Sequence, residues 1–124
     1  MAKTVLVVDD SSMIRKVVGS MLTTAGFVVE ESSDGGRALS RLQDGPPVDL
    51  VVCDVHMPKL NGIELLEELR ELSIPLPKVI FLSTEGSPRV VRRARELGAS
   101  GYLLKPVQKE VLLQAVQDVL AKVA

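Results

Sequence analysis

The sequence predicts a single α/β domain: a five-stranded parallel sheet with helices on both faces. Two observations carry that expectation. Five short runs of β-branched and aliphatic residues alternate with five stretches whose apolar residues recur at helical spacing. No linker, repeat or low-complexity segment interrupts them, and 124 residues suffice for one well-buried core.

The first run, Thr4-Val5-Leu6-Val7-Val8, is a strand, followed by Ser11 as N-cap of a helix carrying Ile14, Val17, Val18, Met21, Leu22 and Ala25, with Gly26 as its stop. Phe27-Val28-Val29-Glu30 is a short second strand. Asp34 caps a second helix through Ala38, Leu39 and Leu42, ended by Gly45-Pro46-Pro47. The third strand, Asp49-Leu50-Val51-Val52-Cys53, leads into a turn at Pro58–Gly62. There Asn61 caps a helix with Ile63, Leu65, Leu66, Leu69 and Leu72, and Glu64 stands at the capping-box position. Val79-Ile80-Phe81-Leu82 is the fourth strand, and Ser87-Pro88 is a cap with proline at the first helical position. That helix runs to Leu97 and stops at Gly98. The fifth strand, Gly101-Tyr102-Leu103-Leu104, precedes a last helix from about Lys109 with Leu112, Leu113, Val116, Val119 and Leu120.

The strand ends carry the chemistry. The first delivers Asp9-Asp10, the third Asp54, the fourth Ser83-Thr84 and the fifth Lys105-Pro106. Ligands of open α/β sheets bind beyond the carboxyl ends of the strands, at the point where the strand order reverses. A flavodoxin-like order 2-1-3-4-5 makes strands 1 and 3 neighbours, which lets Asp54 and the Asp9-Asp10 pair share one ion. Lys105, two strands from Asp54, reaches inward on its flexible stem. Three clustered carboxylates need a compensating cation, and an oxygen-only donor set suits Mg²⁺. A carboxylate can take a phosphoryl group directly, and phosphoryl transfer asks mainly for positioning and charge. Asp54 as nucleophile, Asp9 and Asp10 as metal ligands and Lys105 as counter-charge fill those needs.

Bulk properties narrow the class further. A net charge of −1 from 15 basic and 16 acidic residues argues against a sequence-independent nucleic-acid binder. No apolar run approaches the ~20 residues that span a bilayer, so no membrane insertion is expected. The N-terminus has no secretory signal pattern, and Cys53 is the only cysteine, which leaves neither a disulfide framework nor a cysteine zinc site. A reduced, cytoplasmic protein is expected.

With "LVVDDS" at 6–11, "VVCDVHMPKLNG" at 51–62, "FLSTEG" at 81–86 and "GASGYLLKP" at 98–106 in this order, the chain resembles a receiver domain of a two-component response regulator, of the small single-domain, CheY-like kind. The resemblance runs from Thr4 to about Leu120, so residues 1–124 read as one receiver domain. It implies that Asp54 accepts phosphate from the phosphohistidine of a sensor histidine kinase, forming a 4-aspartylphosphate. It implies that Asp10 and Asp54 bind Mg²⁺ directly, Asp9 largely through water, and His56 through its backbone carbonyl. Ser83 is then the switch hydroxyl that moves to the phosphoryl oxygen, Tyr102 the aromatic that turns inward as it does, and Lys105-Pro106 a cis peptide. The implied output is a changed surface of helix 4, strand 5 and helix 5 that regulates a downstream protein. The chain would act as a monomer that catalyses its own phosphorylation and dephosphorylation rather than as a turnover enzyme. Three departures stand out: Val107 where phenylalanine usually follows Lys-Pro, Ser83 for the commoner threonine, and His56 and Glu85 at positions that tune phosphate lifetime.

Two other classes share parts of this pattern. A haloacid-dehalogenase-type phosphatase also uses an aspartyl phosphate and Mg²⁺, but places a second acid two residues after the nucleophile, where this chain has His56. A flavodoxin-type FMN carrier needs a hydroxyl- and glycine-rich phosphate loop after strand 1, where Asp9-Asp10 would repel the phosphate. Strand alternation turns Cys53 away from Asp54 into the core. Asn61 reads as a cap rather than a ligand, and His56 as a surface imidazole. On the fourth helix, Val90, Val91, Ala94 and Leu97 face the sheet. Arg89, Arg92 and Glu96 point outward, flanked by Arg93 and Arg95. That basic face suits an acidic partner.

Overall fold

The computed structural model describes residues 2–122. Its elements are β1 (Thr4–Val8), α1 (Ser12–Thr24), β2 (Val28–Ser32), α2 (Gly35–Asp44), β3 (Leu50–Cys53), α3 (Gly62–Glu71), β4 (Lys78–Ser83), α4 (Pro88–Glu96), β5 (Gly101–Leu104) and α5 (Lys109–Ala121). The sheet is parallel throughout, in the order β2-β1-β3-β4-β5, as the sequence predicts.

Alternation along the strands builds a core on each face. Leu6, Val8, Val51, Cys53, Val79 and Phe81 join Leu65, Leu66, Leu69, Ala94 and Leu97 beneath α2, α3 and α4. Val5, Val7, Leu50, Val52, Ile80 and Leu82 join Val18, Leu22, Leu112 and Val116 beneath α1 and α5. Each aliphatic side chain so buried stabilises the fold by roughly 1.5–3 kcal/mol. Cys53 lies in the first cluster, and burial pushes its thiol well above the usual range. It is a small core residue.

Helix ends follow their local chemistry. Ser11 Oγ accepts from the Ile14 N–H, Asp34 from the Arg37 N–H, and Asn61 and Glu64 form a full capping box. Gly26, at φ 99°, takes the left-handed turn that ends α1. Ser87 departs from expectation: it precedes α4, but its hydroxyl donates to Glu85 Oε2 at 2.9 Å instead of accepting from the helix. A carboxylate two residues back competes for it.

Strand bounds also shift. β2 starts after Phe27 and continues to Ser32, because an edge strand tolerates polar residues: Glu30 pairs with Arg41 and Glu31 with Arg15. Asp49 falls just outside β3, where its carboxylate accepts from the Thr4 N–H at 2.7 Å. β4 includes Ser83, paired in register with Leu104. At Gly62 a side chain has no room, since a Cβ would lie 2.5 Å from the Asp54 carbonyl oxygen and 2.7 Å from the Phe81 ring. This glycine lets α3 start directly against the end of β3, beside Asp54.

Candidate functional site

Backbone pairing carries past the strand ends and fixes the site. The Asp54 N–H donates to Val8 O at 2.9 Å, the Asp9 N–H to Ser32 O at 3.2 Å and the Lys105 N–H to Ser83 O at 2.8 Å. Asp9, Asp54 and Lys105 are therefore held as extensions of three strands. Carboxylate oxygens of Asp9, Asp10 and Asp54 lie within 4.8 Å of one another. Lys105 Nζ stands 2.7 Å from Asp9 Oδ2 and 3.3 Å from Asp54 Oδ2. The expected convergence of strand 1, strand 3 and strand 5 is present. The lysine rests nearer Asp9 than the reading of Lys105 as Asp54's counter-charge suggests.

The three carboxylates are not equivalent. Asp9 is buried, with Oδ1 accepting from the Ser11 N–H at 2.9 Å and Oδ2 from Lys105. Asp54 is 7% exposed, and burial holds its carboxyl above the usual range, the nearby Lys105 ammonium opposing this and the Asp9 charge adding to it. Asp10 is exposed and makes no side-chain hydrogen bond or ion pair among the described residues. Burial works against the Lys105 ammonium, but the bond to Asp9 and the Asp54 charge outweigh it and raise its pKa. An all-oxygen donor set with one open carboxylate beside two buried ones fits Mg²⁺, which keeps waters and takes few protein ligands. The more committed Asp9 is the poorest candidate for direct contact.

Around this centre Glu85 organises a second layer. Its N–H donates to Ser83 Oγ at 3.1 Å, its carbonyl accepts from the Tyr102 hydroxyl, and its carboxylate meets Ser87 and His56. Ser83 is fully buried at the end of β4. The Tyr102 ring packs on Phe81 with centroids 6.1 Å apart, and burial raises its phenol pKa. His56 is a rim residue: its N–H donates to Asp54 Oδ1 at 3.3 Å and its exposed imidazole Nε2 lies 2.5 Å from Glu85 Oε1. The Ser87 hydroxyl and, after it, the hydrogen bond with His56 draw the Glu85 carboxyl below the usual range. The Lys105–Pro106 peptide is cis, as the resemblance implies.

Sequence reasoning missed the centrality of Glu85, whose partners lie up to 29 residues away. It also missed Arg15, whose guanidinium reaches back to the Asp9 carbonyl. A basic residue one turn into a helix that starts beside two aspartates was the available signal. α4 faces outward as expected, but Arg93 is paired to Glu67 of α3 at 2.7 Å. α3 itself carries Glu64, Glu67, Glu68 and Glu71 against Arg70. The positive field of α4 therefore has an acidic neighbour and acts at short range.

A crevice at the switch point of a 2-1-3-4-5 sheet, lined by three carboxylates and a lysine, defines a class before it defines a relative. The receiver domain of response regulators matches residues 5–117, and the chain belongs to that family of two-component signalling switches, which are not turnover enzymes. It is similar to the chemotaxis protein CheY of Treponema pallidum, 37% identical over 118 residues that cover 94% of this chain and 81% of that protein. Among solved structures it is similar to the chemotaxis protein CheY4 of Vibrio cholerae, with a TM-score of 0.88 and 37% identity over 96% of this chain and 99% of that one. It is also similar to a chain in the CheX–CheY–BeF3–Mg²⁺ complex from Borrelia burgdorferi, with a TM-score of 0.89 and 31% identity over 97% and 90% of the two chains. No described helix is long and apolar enough to cross a membrane.

Proposed function

We propose that the protein is a cytoplasmic, monomeric switch in which Asp54 takes a phosphoryl group from the phosphohistidine of a sensor histidine kinase and thereby changes a protein-binding surface. The observation that carries this is the Lys105 ammonium within 3.3 Å of Asp54 and 2.7 Å of Asp9, in a cluster of three carboxylates. An Asp54 oxygen attacks phosphorus, the bond from phosphorus to the donor imidazole nitrogen breaks, and an acyl phosphate forms. Asp10 and Asp54 would hold Mg²⁺ directly, Asp9 largely through water and His56 through its carbonyl, and the ion would offset charge on the phosphoryl oxygens. Lys105 supplies the protein's own cation to the same oxygens. The same residues hold the group through its hydrolysis, so the protein catalyses its own phosphorylation and dephosphorylation.

Ser83 and Tyr102 then transmit the change. The Ser83 hydroxyl exchanges the Glu85 N–H for a phosphoryl oxygen, and Glu85 links that shift to the Tyr102 hydroxyl and to the start of α4. Incubation with acetyl phosphate tests the reading by intact mass: one phosphoryl group per chain with Mg²⁺ and none with chelator. Catalytic turnover of phosphodonor without a stable adduct would point instead to a phosphatase.

For output we place an acidic downstream partner on the face of α4, β5 and α5. Arg89, Arg92 and Arg95 are exposed and make no ion pair among the described residues. Charge on such a face acts mainly on the association rate. Arg89→Glu with Arg92→Glu is expected to slow association of the activated protein with its partner several-fold at low salt and to flatten its salt dependence, with Asp54 phosphorylation intact. Association at the wild-type rate would make the arginines a solvated face only.

A further inference from the structure

The turn between β1 and α1 carries both Asp9 and Asp10, so whatever fixes that turn places two of the three carboxylates. Asp9 is held by a backbone partner at Ser32, by the Ser11 N–H and by Lys105. Its carbonyl has a partner of another kind: Arg15 Nη1 donates to it at 2.6 Å. The Arg15 side chain is 16% exposed, and its Nε donates to Glu31 Oε1 of β2 at 3.0 Å. The guanidinium thus ties the first turn of α1 to the ends of both β1 and β2, with its planar fork set by two bonds. Asp10 lies immediately beyond this clamp and has no side-chain partner of its own among the described residues, so the turn's backbone is what sets where its side chain leaves the chain, with the carboxylate free about its χ angles.

We propose that Arg15 is a positioning residue for the cation site, clamping the Asp9 carbonyl so that the turn presents Asp10 to the ion. This rests on the reading of Asp9, Asp10 and Asp54 as that site. Its sign separates it from a purely electrostatic role. A positive charge near a cation site weakens cation binding, so removing the charge alone strengthens it. Removing a clamp weakens it, and groups that orient metal ligands typically matter 10–100-fold in affinity.

The test is a Mg²⁺ titration of the full chain by calorimetry, with thermal melts to confirm folding. Arg15→Ala is expected to raise the Mg²⁺ dissociation constant about tenfold. Arg15→Lys, which keeps a donor and the charge, recovers part of the loss. Glu31→Gln, which loosens the guanidinium from β2, gives a smaller loss in the same direction. If the wild type itself fails to bind Mg²⁺, the site reading fails. If the wild type binds and folded Arg15→Ala binds equally or more tightly, the clamp is refuted. Should Arg15→Ala not fold, unchanged affinity in both Arg15→Lys and Glu31→Gln overturns the proposal.

Discussion

Asp54→Asn is expected to take up no phosphoryl group under conditions in which the wild type takes up one. The amide occupies the same space at the end of β3, but it has one acceptor oxygen where Asp54 offers Oδ1 to the His56 N–H and Oδ2 to the Lys105 ammonium, and that oxygen is a poor nucleophile and carries no charge. The backbone that holds the position is untouched, since the Asp54 N–H still donates to Val8 O. Lys105 keeps its stronger bond to Asp9, so the variant retains its ammonium in the crevice. Lys105→Ala is the complementary case. It leaves the proposed nucleophile in place, so Asp54 is expected still to be labelled, but it removes the cation that would hold the phosphoryl oxygens and Asp9 together. Labelled Lys105→Ala is therefore expected to bind the downstream partner poorly. Intact-mass spectrometry after acetyl phosphate and Mg²⁺ checks both variants, and normal labelling of Asp54→Asn would place the phosphoacceptor elsewhere.

The residues that converge at the centre were legible because each ends a strand. A β-branched run followed by Asp9-Asp10, Asp54 or Lys105 states both the element and the edge to which it delivers its side chain, and the strand order then brings the edges together. Caps at Ser11, Asp34 and Asn61 were legible for a similar reason: the chemistry is contained within four residues. What escaped depends on pairing across the chain. The polar end of β2 looks like a loop until Glu30 and Glu31 meet the arginines of neighbouring helices. Ser87 has the right residue type for a cap, but Glu85 takes its hydroxyl. Glu85 itself gives no local pattern, because its role is the sum of contacts to His56, Ser83, Ser87 and Tyr102 from two loops and two strands. The basic charge of α4 was readable along the chain, but the pairing of Arg93 with Glu67 of α3 was not.

Asp10→Asn is expected to stabilise the protein without metal and to blunt its response to Mg²⁺. The Asp10 carboxylate lies within 4.8 Å of those of Asp9 and Asp54, where Lys105 answers only part of the negative charge. At such a separation, with Asp10 open to water, the repulsion is on the order of 1 kcal/mol, and the amide relieves it. A cation that binds only the folded site stabilises it, so Mg²⁺ at ~100 times its dissociation constant is expected to add about 2.7 kcal/mol to the wild type and less to the variant. Asp54 gives the effect a pH signature. Because burial raises its carboxyl pKa in the folded state, the folded protein binds this proton more tightly than the unfolded chain. Metal-free stability from this group is therefore full below the unfolded carboxylate range and is lost as pH rises through the raised folded pKa. The Mg²⁺ increment runs the other way, growing over the same window as Asp54 ionises, and Asp54→Asn removes both slopes. Thermal melts of the three proteins, with chelator and with Mg²⁺ across the acid range, read all of this at once. A wild-type melt indifferent to Mg²⁺ above that window would show that the three carboxylates do not form a cation site.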